Sequence, residues 1–220
     1  IGDLNGDGRA DVVAGSSLIF GNGDGTFPNR RLYTYLPAVF NADIGRASEP
    51  HEIAAGDLNG DGNIDLAVAI FGTAVILVGN GNGSFLSPIR LTLPAAANLG
   101  SHAARIAVAD LDGDGDLDVI AVHQNLAQVG GAVAIWRNNG SGIFSTPGVR
   151  NVPMPKYDFF GQGVDLELGD LNGDGFIDVV VTDSGHDDLV STSSGGVSVL
   201  LGIGDGTLAQ PVRYLLPTRQ

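Results

Sequence analysis

A chain of 220 residues with 43% hydrophobic content can bury a substantial core, and β-rich chains of this length commonly form one domain. Its 25 acidic residues outweigh 11 basic ones for a formal charge of −14, a balance that repels nucleic-acid phosphates and anionic membrane surfaces. The absence of cysteine excludes disulfides, no apolar run is long enough for a membrane-spanning helix, and the 34 glycines fit many tight turns.

The first feature along the chain is Asp3 to Asp11, DLNGDGRAD, which lies directly behind Ile1, so the start reads as a cut. The same nine-residue pattern returns at Asp57 to Asp65 (DLNGDGNID), Asp110 to Asp118 (DLDGDGDLD) and Asp170 to Asp178 (DLNGDGFID). The first aspartates stand 54, 53 and 60 residues apart. A period near fifty suggests propeller blades, here repeats at about 1–49, 50–101, 102–160 and 161–220 of a single domain.

Each repeat divides into four short strands. A first strand precedes the acidic loop at Ile53 to Gly56, Arg105 to Ala109 and Val164 to Gly169; the first repeat has none, so its blade needs a strand from elsewhere. The run after each loop, VVAG, LAVAI, VIAV or VVVT, is apolar throughout and predicts a strand buried on both faces. A third strand, at Leu18 to Phe20, Val75 to Val78, Val133 to Trp136 and Val197 to Leu201, runs into a glycine-rich hairpin that ends in Phe27, Phe85, Phe144 or Leu208. That apolar series is expected to pack between blades. The fourth strand carries a Pro, Arg, Pro phrase, which places it at an outer edge with Arg31, Arg90, Arg150 and Arg213 as solvated guards.

Within each acidic loop, positions one, three, five and nine are Asp or Asn, and glycines at four and six let the loop curl round a centre. Hard cations such as calcium take six to eight oxygen ligands of this kind. An EF-hand would need a glutamate at position twelve, where this chain has Ala14, Val68, Ala121 and Val181, and a strand rather than a helix follows. These are strand-loop-strand sites. Thirteen carboxylates lie at the ligand positions, so much of the acidity is a metal requirement rather than the sign of a basic partner.

The phrase D-x-[DN]-G-D-G-x-x-D, apolar strand, strand, G-[ND]-G-[TS]-F resembles the FG-GAP or VCBS-type repeats of integrin α-subunit-like β-propellers and related fungal propeller lectins. The resemblance spans the chain. It implies an all-β propeller of four-stranded antiparallel blades with up to four calcium ions, about one per repeat. The implied side-chain ligands are Asp3, Asn5, Asp7 and Asp11; Asp57, Asn59, Asp61 and Asp65; Asp110, Asp112, Asp114 and Asp118; and Asp170, Asn172, Asp174 and Asp178. Position seven, Arg9, Asn63, Asp116 or Phe176, would give its backbone carbonyl. The family's Phe-Gly survives only at Phe20-Gly21 and its Gly-Ala-Pro element is not evident, which points to the shorter VCBS-like branch. Four repeats imply missing blades from a parent chain, or a ring completed by a second copy as a homodimer.

The metal loops and hairpins share one face of such blades, and the connections that vary most lie on the other, where recognition usually sits. His51 and His102 fall in connections between repeats, and His123 and His186 in or beside the loops after the second strands, with Tyr157, Phe159 and Phe160 on the same face. These residues could bind a sugar, or simply pack the loop bases. Asp183, His186, Asp187 and Asp188 have metal-ligand types, although a polar solvated loop is the expectation there. Asn82-Gly83-Ser84 and Asn139-Gly140-Ser141 match the glycosylation pattern, but both sit in turns that call for Asn-Gly.

No nucleophile motif or phosphate-binding glycine loop is present. The sequence therefore predicts a calcium-binding propeller, not an enzyme, acting outside the cell as a binding or adhesion module for a glycan or protein. The alternatives are the propeller portion of a carbohydrate-active enzyme and a structural spacer. Neither nucleic-acid binding nor membrane insertion is expected.

Overall fold

A computed structural model describes residues 1–15, 17–27, 29–31, 52–70, 73–91, 102–124, 130–153, 164–188 and 191–217. The elements described are all strands, in four antiparallel sheets that follow chain order. Blade 1 comprises β1 (Val12–Ala14), β2 (Ser17–Phe20) and β3 (Asn29–Arg31). Blade 2 has β4 (Glu52–Gly56), β5 (Asp65–Ile70), β6 (Thr73–Leu77) and β7 (Ile89–Leu91). Blade 3 has β8 (His102–Ala109), β9 (Asp118–Gln124), β10 (Gly131–Trp136) and β11 (Gly148–Val152). Blade 4 has β12 (Val164–Gly169), β13 (Asp178–Asp188), β14 (Ser191–Leu200) and β15 (Val212–Leu215). The fold is the predicted all-β propeller arrangement; among the described residues the sheets do not close a ring and blade 1 shows three strands, without a first strand ahead of its loop.

The runs after the second and third loops are buried on both faces because each face meets a different neighbour, but the expectation fails at the ends of the series, where β1 is half-buried to exposed and Val180 and Thr182 of β13 are half-buried. In β5, Leu66, Val68 and Ile70 join Leu4 and Leu18 of blade 1, whereas Ala67 and Ala69 join Ile106, Val119 and Trp136 of blade 3. The alanines leave room for the indole, which is fully buried. Blades 3 and 4 meet through Ile120, Val122, Val133 and Ile135 against Val164, Leu166, Val179 and Leu200.

The hairpin series packs between blades as expected: Phe85 and Phe144 lie against the preceding blade's core and Leu208 is buried in it. Phe27, the residue of this series in blade 1, is 39% exposed. Charged ties join successive innermost strands, where the Ile106 N–H donates to Glu52 Oε2 at 2.8 Å and Arg105 Nε lies 3.2 Å from Asp165 Oδ1.

Two expectations need correction. Arg150 and Arg213 do not guard a solvated edge: Arg150 Nε donates to the Leu208 carbonyl at 2.7 Å, and Arg213 forks onto Asp183 at 2.6 and 3.1 Å while reaching the Pro153 carbonyl. Each guanidinium thereby supplies donors to acceptors that the ladder leaves over. The stretch from Asp183 to Asp188 is also a hairpin arm rather than a loop, because β13 and β14 stay paired to Asp188↔Ser191.

Candidate metal-binding loops

The second, third and fourth acidic loops join the first two strands of their blades and the first leads into β1, and each turn is built by its own side chains. In the second loop Asp57 Oδ1 accepts the Gly60 and Asp61 N–H groups at 2.8 and 3.2 Å, and Oδ2 accepts Gly62 at 2.8 Å. Gly60 and Gly62 sit at φ 71° and 84°, a backbone region that side chains resist, which is why the pattern demands glycine there. Asn59 Oδ1 takes the Asp61 N–H, and Asp61 Oδ1 takes that of Asn63. Asp3 and Asp170 bond the corresponding glycine N–H groups in the first and fourth loops, and Asp110 does so in the third.

The ninth residue behaves differently. Asp11, Asp65, Asp118 and Asp178 are fully buried at the start of the second strand. One oxygen of each accepts the N–H of the loop's own second residue, Leu4, Leu58, Leu111 or Leu171, at 2.9 to 3.1 Å. The other accepts the first N–H of the blade's hairpin, from Gly21, Gly79, Asn138 or Gly202, at 2.7 to 2.9 Å. This carboxylate thus staples the loop to the hairpin. Burial pushes Asp65 up, and it pushes Asp118 up to about 6.

Position three divides the loops. In the first, second and fourth, the Asn amide donates to the fifth-position aspartate, Asn5 to Asp7 at 3.2 Å, Asn59 to Asp61 at 3.0 Å and Asn172 to Asp174 at 2.8 Å. The third loop has Asp112 instead, which cannot donate. Its Oδ1 is buried without a hydrogen-bond partner among the described residues, and burial followed by repulsion from Asp114 raises its pKa. Oxygens of Asp110, Asp112 and Asp118 come within 4.8 Å of one another. A buried, unpartnered carboxylate oxygen among other carboxylates suits a hard cation, so the residues present fit calcium.

The position-seven side chains lie over the hairpin of their own blade. A Cβ added to Gly23, Gly81, Gly140 or Gly204 would meet Arg9, Asn63, Asp116 or Phe176. This contact places the position-seven side chains against the hairpin.

Sequence reasoning missed the second-position leucines. The Leu4 carbonyl accepts the Gly83 N–H at 2.8 Å, the Leu58 carbonyl accepts Asn138 Nδ2 at 2.6 Å, and the Leu111 carbonyl accepts the Gly206 N–H at 3.3 Å. All three donors belong to the next blade, so the first three loops also carry an interface between blades. The only signal was four identical leucines.

The opposite-face candidates fare differently. His51, Tyr157, Phe159 and Phe160 lie outside the described residues. His102 is the first residue of β8 rather than part of a connection, paired with Gln124, and His186 lies in β13, paired with Ser193. His123 corrects the expectation of an exposed ligand contact. It is fully buried in β9, in phase with Val119 and Ala121, with its ring centroid 6.0 Å from that of Trp136. Asp183 is committed to Arg213.

A model of the FG-GAP-like repeat matches residues 3–68, 57–121 and 125–181. The chain belongs to the FG-GAP-like repeat family. No curated protein matches it in sequence. Among solved structures it is similar to an Agrocybe aegerita lectin described as recognising non-reducing terminal N-acetylglucosamine, at 23% identity and a TM-score of 0.57, over 96% of this chain and 50% of the lectin. Also similar are the Dos1 propeller, at 18% identity and a TM-score of 0.47 over 76% of this chain and 37% of that one, and the Tc holotoxin pore of Photorhabdus luminescens, at 24% and 0.44 over 78% and 8%. The chain therefore spans half the length, or less, of the solved chains it resembles.

Proposed function

We propose that this chain is a calcium-stabilised propeller segment that serves as an extracellular binding module for a glycan or protein ligand. The observation that carries the metal part is the third loop, where the buried Asp112 Oδ1 has no partner and Asp110 and Asp118 offer oxygens beside it. Calcium would be held by the side chains at positions one, three, five and nine with the carbonyl of position seven, and would relieve the repulsion those carboxylates exert when empty. In the other three loops the Asn-to-Asp bond would be exchanged for the ion. Loops of this open, glycine-rich kind suit a calcium-rich compartment, which favours the outside of the cell.

The binding part rests on the family's fold. The face opposite the loops carries His102 and His186 at the ends of strands or in the projecting hairpin, and His51, Tyr157 and Phe159 belong to connections on that side in the sequence reading. A glycan ending in N-acetylglucosamine is the first probe to use, since a lectin of similar fold recognises it. Glycan-array and pull-down screens of the chain in millimolar calcium test the reading. Retention of a ligand that chelator releases supports it, and no ligand in either screen counts against it.

A further inference from the structure

The four acidic loops are not interchangeable, because position three decides what their oxygens already hold. In the first, second and fourth loops the Asn side chain is bonded at both ends. Oδ1 of Asn5, Asn59 and Asn172 accepts the N–H of Asp7, Asp61 and Asp174 at 2.9 to 3.0 Å, and Nδ2 donates to Oδ2 of the same aspartate at 2.8 to 3.2 Å. A cation that takes the aspartate oxygen has to displace the amide first. In the third loop Asp112 stands at position three, so no amide competes for Asp114, and Asp112 Oδ1 is buried without a partner among the described residues.

Charge divides the loops in the same way. The first carries three aspartates against Arg9, a net of −2, and the second and fourth carry three aspartates each. The third carries five, Asp110, Asp112, Asp114, Asp116 and Asp118. Arg137 offsets one of them: Gly206 of the next hairpin lies against both Arg137 and the Asp112 side chain, and the guanidinium donates to the Asp205 carbonyl at 3.3 Å. Even so the third loop stays the most negative. Calcium affinity is tuned by the charge count and the rigidity of the ligand set.

We propose that the third loop is the tight calcium site of this chain and fills first, while the first, second and fourth loops form a weaker class. The ordering rests on calcium as the ion of the loops. It also has a structural consequence. Asn138 of blade 3 bonds the Leu58 carbonyl of the second loop, and the Leu111 carbonyl of the third loop takes the Gly206 N–H of blade 4. An ion that enters the third loop first therefore braces the joints on both sides of blade 3 at calcium levels that leave the other loops unfilled.

Calorimetric titration of the chelator-stripped full chain with calcium, beside a count of bound calcium at each free concentration, tests this. The expected result is one ion held about tenfold more tightly than the rest. Asp112→Asn gives the third loop the amide that the others have, and it should move that first step into the weaker class. Asn59→Asp should add a second tight step, a gain that a damaged fold could not produce. Equal steps for every ion, a tight step that persists in Asp112→Asn, or an Asn59→Asp chain with no second tight step overturns the ordering and leaves calcium as the loop ion. A chain that takes up no calcium overturns both.

Discussion

Asn138 Nδ2 donates to the Leu58 carbonyl at 2.6 Å and so fastens the hairpin of blade 3 to the acidic loop of blade 2. The same amide reaches the Leu117 carbonyl at 3.0 Å, while the Asn138 N–H bonds the buried Asp118. Loop, hairpin and neighbouring blade are therefore one hydrogen-bonded unit. Asn138→Ala would leave two carbonyls short of their donor, and it is expected to cost about 1–3 kcal/mol in urea unfolding. Loss of less than a few tenths of a kcal/mol would mean that water replaces the amide without penalty.

Asp61 and Asp65 separate the metal role from the staple role. Asp61 is exposed and bonds within its loop, so Asp61→Ala should lower thermal stability in calcium and change little in chelator. Asp65 holds the Leu58 and Gly79 N–H groups in the core, so Asp65→Ala should destabilise in both conditions by about 2–4 kcal/mol. Thermal melts of both variants with and without chelator check the contrast, which equal losses for Asp61→Ala in the two conditions would refute.

Asp183 is buried with only 1% of its side chain exposed, and Arg213 is the cation that holds it there. Arg213→Ala takes the cation from that buried carboxylate and is expected to cost about 3–5 kcal/mol, whereas replacing both partners by Met and Leu should cost far less. A double-mutant cycle in denaturant measures the coupling. Additive losses would contradict it.

His123 makes the protein acid-sensitive. Burial pulls its pKa down to about 4 from 6.5, so the unfolded chain takes up a proton below about pH 6.5 that the folded chain accepts only near 4. The stability linked to this group is complete above the upper value and is lost as the pH falls to the lower one, by about 3 kcal/mol. His123→Leu should lack that loss. The difference in unfolding free energy between wild type and variant should therefore shift toward the variant between pH 7 and pH 4, and a constant difference would contradict the assignment.

The loops and the blade order were legible because they are local: Asp57 through Asp65 fixes its own turn, and the apolar run after it fixes a strand. What pairs across distance was not. Arg213 and Asp183 lie thirty residues apart, and no local pattern links them. His123 did carry a signal, since it stands two and four residues beyond Ala121 and Val119 and so shares their inward phase in a strand, but its polarity suggested a surface. Leu58 and Leu171 are identical in sequence context and opposite in burial, because only the neighbouring blade decides which is covered.

The most direct test of the central claim is a bound-metal count on the chain after dialysis against calcium, run beside thermal melts with and without chelator. The account predicts calcium retained in the loops, up to one ion in each, and a melting temperature that drops on chelation, since an ion at a hundredfold over its Kd stabilises by about 2.7 kcal/mol per site. A chain that emerges free of calcium and melts at the same temperature in both buffers would contradict it.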